Sequence, residues 1–504
     1  MSSEHGKAPL AHRDFIAVGA ASLGGLAACH AAAAAAATPS VSRAHDLGSA
    51  VNDLVCDVDC GWRRDLATQL GVQRRIQVRE AVMNQDRVFA TYLIETPHSL
   101  EHAAAVLAGE QSSGTFVSVP GETSELKERF GAQVVRIEPL DTVPAPSLPG
   151  STAPHSDSGR PVYRRGRIVI SFPFHNFGPS LPSLLATVAG NLYELQELSG
   201  IRLEDLELPQ AFAQRYPGPG FGIEGTRKLV QVSGRPLIGT IIKPSIGLSI
   251  EALCKLVHDL ASAGLDFIKD DELQADPPYA PLAQRIAKVM GEIERVADAT
   301  GKKAMYAFNI TGDVDHMLRG HDLVKKHGGT CVMININNVG FAALSHVRRH
   351  CELPIHGHRA NFGAMARHPL LGIGFTAYQK LCRLAGVDHL HVGGFNSKFY
   401  ETNDEVSRSI KDCLSPLLGD YRVMPAISSA QWAGSALPIY AATNTIDVIH
   451  LAGGGIIAHP GGTAAGVRSM QQGWEAALAG ATLEGYAQTH PELRAAIEKF
   501  GGRS

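Results

Sequence analysis

Leu265-Asp266-Phe267-Ile268-Lys269-Asp270-Asp271-Glu272 is a short apolar run that ends abruptly in one base and three acids. Side chains alternate along a strand, so Lys269 and Asp271 share one face and Glu272 joins them as the chain turns into a loop. Asp270 then points to the opposite layer and has a structural role. Working outward, apolar runs recur at 237–242, 304–308, 331–335, 353–355, 387–390, 423–427 and 447–452. Helical periodicity fills most of the gaps, at 250–263, 281–299, 313–327 and 375–385. Eight strands alternating with helices over about 250 residues predict a (β/α)8 barrel. Its domain is expected to span 209–504, in a chain of α/β class.

Several of these runs end in polar or ionisable residues: Lys243, Asn309, His358-Arg359, His391, Ser428-Ser429 and Gly453-Gly454-Gly455. Strand C-termini form the active face of such a barrel, so these residues are expected to converge on one mouth. A structural protein has no use for that alignment, and the sequence reads as an enzyme. Residues 51–208 precede the barrel as a small α+β domain of ferredoxin-like kind. Its strands are expected near 88–94, 134–137 and 166–172, with an amphipathic helix over 100–107. Pro, Ser and Gly crowd 143–161 into a flexible loop.

Residues 1–50 differ from the rest. Lys7 and Arg13 precede an Ala- and Gly-rich apolar run over 15–37, and Leu26-Ala27-Ala28-Cys29 resembles a lipoprotein cleavage box. These are marks of a secretory signal. The run is too weakly apolar to span a bilayer, and the reading adopted is an extension that does not fold.

The chain has 504 residues, with 46 Lys+Arg against 49 Asp+Glu, a balance that leaves no electrostatic footprint for nucleic acid. Hydrophobic residues at 44% exclude disorder for the body of the chain, and only 19% are charged, which points to much buried surface and to oligomerisation. No other segment could cross a membrane. The 8 cysteines are scattered, as buried thiols in a reducing compartment are. Cys56 and Cys60 form the one close pair and lack the second pair that a zinc site needs.

Two carboxylates at the end of the second strand favour a hard cation such as Mg²⁺, the plain alternative being a Lys–Asp ion pair. His356-Gly357-His358 and His389-Leu390-His391 each place two imidazoles on one side of a strand, where they could chelate zinc. Metal-dependent amidohydrolases on this barrel use such a pair, but on the first strand and ahead of the bridging lysine; here both pairs come after it. His358 and His391 are therefore read as hydrogen-bonding or acid/base groups, with a packed core residue as the plain alternative for either first histidine, His356 or His389. Gly453–Gly455 can present backbone N–H groups to an anion, and Arg359 can serve a second anionic group through its fork. The loop 393–398 is read as mobile, closing Lys398 over bound substrate.

Gly239-Thr240-Ile241-Ile242-Lys243-Pro244-Ser245-Ile246-Gly247 closely resembles the first-strand motif of the RuBisCO large subunit, and Asp266 to Glu272 resembles its metal motif. Further matches are His356 to Ala360, Asp388 to Lys398, Gly453 to Pro460 and, in the smaller domain, Glu110 to Phe116 and Gly190-Asn191. The resemblance covers about 80–485. It implies that Lys269 is carbamylated by CO₂ and then holds Mg²⁺ with Asp271 and Glu272. It implies Lys243 as the proton-transfer residue and Lys398 as the partner of a carboxylate or CO₂. Arg359, His391 and Ser428 would hold one phosphate end, and Gly453, Gly454 and Thr115 the other. Glu110 and Asn191 would reach a neighbouring subunit's site, making a homodimer the smallest active unit.

Four departures touch the phosphate end and the proton machinery together. Ser245 stands where the family's carboxylases have a second lysine, Phe116 where they have tryptophan, Phe362 where they have histidine, and Ser429-Ala430 where they have Gly-Gly. The chain thus resembles the RuBisCO-like proteins that process enolates without productive carboxylation. Because Lys398 is kept beside Lys243 and the metal set, the expected reaction is decarboxylation of a phosphorylated 3-oxo sugar acid such as 3-oxo-isoapionate 4-phosphate. The alternatives are transcarboxylation with hydrolysis of the same substrate, a methylthio-sugar phosphate enolase or isomerase, ribulose-bisphosphate carboxylase, and the amidohydrolase class. Phosphorylated substrates and CO₂-dependent carbamylation point to the cytoplasm.

Overall fold

The computed structural model describes residues 87–114, 119–154 and 161–502. The readings of 1–50, of Cys56 and Cys60, and of Thr115 and Phe116 lie outside the described residues.

The first strands are β1 (Arg87–Thr96), β2 (Gln133–Val143), β3 (Tyr163–Pro173) and β4 (Gly200–Glu207). The barrel strands follow: β5 (Leu237–Ile241), β6 (Phe267–Lys269), β7 (Met305–Asn309), β8 (Cys331–Asn335) and β9 (Ile355–His358). After a short β10 (Leu371–Ile373) come β11 (His389–Gly393), β12 (Met424–Ile427) and β13 (Ile449–Leu451).

In β1 strict alternation buries Val88, Ala90, Tyr92 and Ile94 on one face. The helix Leu100–Glu110 starts where Ser99 accepts from the His102 N–H, and it buries Leu100, Ala103, Ala104, Leu107 and Ala108. With the helix Leu181–Ala189 it completes a βαββαβ unit whose strands run in the order β4-β1-β3-β2, all neighbours antiparallel. This is the expected ferredoxin-like domain.

Eight parallel strands close the barrel in the order β5-β6-β7-β8-β9-β11-β12-β13. Each predicted apolar run becomes one strand, but β6, β9 and β11 run on into polar residues. A hydropathy reading stops too early because Lys269, His358 and His391 are strand residues that face the interior. The lower interior is filled by Leu237, Phe267, Met305, Met333, Met424 and Leu451 among others. Gly239 of β5 is needed here, since a Cβ would stand 2.6 Å from Leu451 and 2.9 Å from the Phe267 carbonyl oxygen. At the strand N-termini, Asp388 accepts from the N–H groups of Gly222 (2.9 Å) and Ile355 (2.8 Å) and from Arg348 (2.9 Å).

One element departs from expectation. β10 lies within the barrel half of the chain yet pairs in parallel with β4, so it extends the ferredoxin-like sheet. Three residues leave no periodicity to read. Among the described residues no helix is long and apolar enough to cross a membrane, and the described cysteines Cys254, Cys331, Cys351, Cys382 and Cys413 are free thiols.

Candidate active site

At the C-terminal end of β6, Lys269 is fully buried, with Nζ donating to the Asp270 carbonyl (2.9 Å) and lying 3.8 Å from Glu272 Oε2. Burial lowers its pKa, against the opposing pull of Glu272, Asp271 and Asp270. Asp271 is buried and accepts from Lys243 Nζ at 2.7 Å. Lys243 also donates to Ser245 Oγ at 2.7 Å. Asp270 points outward as expected, accepting from Tyr306 Oη (2.6 Å), the Asn309 N–H (2.9 Å) and Arg285 (3.2 Å). Asn309 and Asn335, at the ends of β7 and β8, donate to the backbone oxygens of Asp271 and Glu272 and so hold the turn that carries both carboxylates.

The four strand histidines stack inside the barrel, and a chain of contacts fixes their tautomers. The Thr226 hydroxyl donates to the Gly222 carbonyl (2.5 Å), so it must accept from His389 Nε2 (2.8 Å). His389 Nδ1 is then bare and accepts from His356 Nδ1 (3.4 Å), and His356 Nε2 accepts from His391 Nε2 (2.8 Å). His391 Nδ1, the last bare nitrogen, accepts from Ser428 Oγ at 3.0 Å. Burial pushes the pKa of His356 and His391 well below the usual value and that of His389 down to about 3, so all three stay neutral. Both ring nitrogens of His356, His389 and His391 are taken up by one another or by Thr226 and Ser428, so neither His-x-His pair has two free nitrogens for zinc. His358 Nδ1 accepts from the Ala360 N–H (3.2 Å), which leaves Nε2 facing Glu272 at 3.5 Å. Burial lowers the pKa of His358 too.

Lys243, Lys269, Glu272, His358, Arg359, His391, Lys398, Ser428, Gly453 and Gly454 line one cavity of about 1070 Å³ at the barrel mouth. The structure thus brings together every sequence-derived site residue of the barrel, with Asp271 just beneath Lys243. Gly453 packs beside the Lys243 side chain, 3.5 Å separating the site of a Cβ from Lys243 Cε. Glu110 and Asn191 are exposed on the ferredoxin-like domain and do not line this cavity. Two contributors escaped the sequence reading. Asn335 looks like the end of an apolar run, and Glu401 lies beyond the loop motif, where nothing in the sequence marks it as the partner of Arg359. Glu401 meets the Arg359 guanidinium with both carboxylate oxygens.

The chemistry of the donor set fits a hard divalent cation once the Lys269 amine becomes a carbamate: it would then offer three anionic oxygen groups from one turn, with Lys269 Nζ already 3.8 Å from Glu272 Oε2, and the buried Asn335 Oδ1, whose amide holds that turn, has no hydrogen-bond partner. Among the described residues, the cluster His321, Asp322 and His350 also brings three ligand-type atoms together. There His321 Nε2 accepts from the Glu352 N–H (3.1 Å), so Nδ1 carries the proton that goes to Asp322 (2.9 Å), and the group is a hydrogen-bond cluster.

Ionisable groups gathered at one cavity, around a buried lysine whose pKa burial lowers, define a barrel enzyme rather than a binding module. Residues 79–212 match the family model for the ribulose bisphosphate carboxylase large chain, N-terminal domain, and residues 222–500 match that for its catalytic domain. The chain belongs to the RuBisCO large-chain family. It is 51% identical over 414 residues to the 3-oxo-isoapionate-4-phosphate transcarboxylase/hydrolase of Xanthobacter autotrophicus, covering 82% of this chain and 99% of that one. To the 3-oxo-isoapionate-4-phosphate decarboxylase of Rhizobium etli it is 45% identical over 413 residues, covering 81% and 98%. The crystal structure of a rubisco-like protein from Burkholderia fungorum superposes with a TM-score of 0.76 at 46% identity, over 82% of this chain and 99% of that one.

Proposed function

We propose that the protein breaks the C–C bond to the carboxylate of a phosphorylated 3-oxo sugar acid, with 3-oxo-isoapionate 4-phosphate as substrate, and releases CO₂. The observation that carries this reading is that Lys398 and Lys243 line the same cavity as Lys269 and Glu272. An enolase or isomerase needs a base and an electrophile but no cation over a carboxyl group. A 3-oxo acid needs that cation, because its carboxylate must be oriented before it leaves.

Lys269 as a carbamate, Asp271 and Glu272 would hold Mg²⁺, which when bound supplies Lewis-acid stabilisation of developing oxyanion charge, worth several kcal/mol. Lys398, exposed on the loop after β11, pairs with the carboxylate and orients it. As that bond breaks, its electron pair passes into the adjacent ketone to form an enediolate. Lys243, held between Asp271 and Ser245, returns a proton to the carbon that lost CO₂. His358 is a neutral hydrogen-bonding partner beside Glu272. The Gly453–Gly454 backbone receives the phosphate. Thr115, Glu110 and Asn191 complete the mouth in the reading carried over from the family, the latter two from a second copy in a homodimer. Exposed Ile246, Leu273, Phe399 and Tyr400 supply apolar surface that a partner domain would cover.

A second reading is transcarboxylation with hydrolysis, favoured by the higher identity to the relative of that name, 51% against 45%. Carbon-13 and phosphorus-31 NMR of the protein with Mg²⁺, bicarbonate and 3-oxo-isoapionate 4-phosphate separates the two. Release of CO₂ with a new ketose-phosphate signal, lost in Lys269→Ala and Lys398→Ala, is the expected result. A product set that keeps the carboxyl carbon establishes the second reading, and absence of turnover sinks both.

A further inference from the structure

We propose that Glu401 makes the Arg359–His391–Ser428 end of the cavity a seat for an uncharged, hydroxyl-bearing part of the substrate, so that the site takes one phosphate and not two. The proposal rests on the reading of the mouth as a sugar-acid phosphate site and narrows its substrate class.

The first observation is the ion pair. Arg359 Nη1 donates to Glu401 Oε1 at 2.8 Å and Nη2 donates to Oε2, with side chains only 10% and 8% exposed. A guanidinium whose fork is filled by a carboxylate has no net charge to offer a phosphate. The pair is also seated rather than loosely held. Arg359 lies over the rings of Phe362 (4.9 Å) and Phe375 (5.4 Å). Glu401 lies against Gly393, whose φ is 97° and where a Cβ would come within 2.9 Å of Oε2. Freeing Arg359 for a phosphate would leave the Glu401 carboxylate shielded and unpaired, a costly state.

The second observation is independent of the first. The tautomer chain starting at Thr226 obliges Ser428 to donate its proton to His391. Ser428 is left with lone pairs alone, which a phosphate dianion cannot use and a sugar hydroxyl can. Gly453 and Gly454 line the same cavity, and Gly453 packs beside Lys243, whose single ammonium is shared between Asp271 and Ser245 and is not enclosed in a carboxylate fork as Arg359 is. Different residues therefore point to one polarity: an anion at the glycine end and hydroxyl groups at the arginine end.

Isothermal titration calorimetry with Mg²⁺ and bicarbonate tests this, using ribulose 5-phosphate and ribulose 1,5-bisphosphate as probes. The wild-type protein should bind the bisphosphate no more tightly than the monophosphate. Glu401→Gln and Glu401→Ala should each tighten the bisphosphate by about tenfold and leave the monophosphate within about twofold, the gain expected when a shielded arginine fork is freed for a phosphate. A wild-type preference of about tenfold or more for the bisphosphate overturns the proposal without any variant, because Glu401 would then simply step aside. An unchanged ratio in folded variants overturns it as well, while leaving the one-phosphate site intact. If neither probe binds wild type or variants, the proposal falls together with the reading of the mouth.

Discussion

In the proposed reaction Lys269 is the residue on which the chemistry turns, and its environment explains why. Three acids lie within a few residues of it, and each favours the ammonium form, yet complete burial outweighs them and lowers its pKa. CO₂ reacts only with a neutral amine, so this burial readies the lysine for carbamylation. With ¹³C-bicarbonate and Mg²⁺, a carbamate resonance should therefore appear as pH rises, with a midpoint below the roughly 10.4 of an exposed lysine. It should vanish in Lys269→Ala and persist in Lys243→Ala. A resonance that follows the titration of surface lysines would show that burial does not prepare this amine. The identity of Lys269 was legible in the sequence because an Ile-Lys-Asp-Asp-Glu run is chemically unusual. Its lowered pKa was expected only through the family resemblance, because carbamylation requires a neutral amine; the burial that lowers it depends on what the other strands pack around it. The same limit hid Glu401, whose meaning lies wholly in its contact with Arg359.

At the scale of elements, strand period made the barrel legible, and strand ends made its mouth legible. What periodicity cannot record is local backbone strain. After β12, Ser429 and Ala430 take φ values of 83° and 54°, two successive non-glycine residues in the left-handed region. Each such residue costs about 1 kcal/mol, and glycine would adopt the same conformation freely, less its greater entropy when unfolded. The double variant Ser429→Gly/Ala430→Gly should thus be more stable than wild type by about 1 kcal/mol, read as a higher urea midpoint with an unchanged slope. Both side chains line the cavity, so the protein keeps a strained turn in order to place a Cβ on each side of it. A lower midpoint would mean that the two side chains contribute packing larger than the strain. β10 illustrates the same limit on another level: it is too short for period to assign, and only its pairing with β4 reveals which sheet owns it.

For the whole molecule, the question is why one chain leaves its cavity open toward solvent. Glu110 and Asn191, which the family resemblance places at an active site, are exposed and line no part of the cavity of their own chain. An arrangement in which each copy lends them to the other resolves this, because the closed symmetry of a dimer then completes two mouths at once. Such a partner would also cover Leu273 and Phe399, which at 67% and 50% exposure are apolar surface lining a polar cavity. The prediction is subunit complementation. Glu110→Gln and Lys269→Ala, each inactive alone, should regain activity when co-refolded. In the mixed dimer one mouth draws Glu110 from the Lys269→Ala copy and Lys269 from the Glu110→Gln copy, while the other mouth carries both defects. Equal mixing makes half of the dimers mixed with one good mouth each, so recovery should approach about a quarter of the wild-type rate. Recovery near zero from a confirmed mixture of dimers would place Glu110 with its own chain, and the exposed position seen here would then have to change before the site could work.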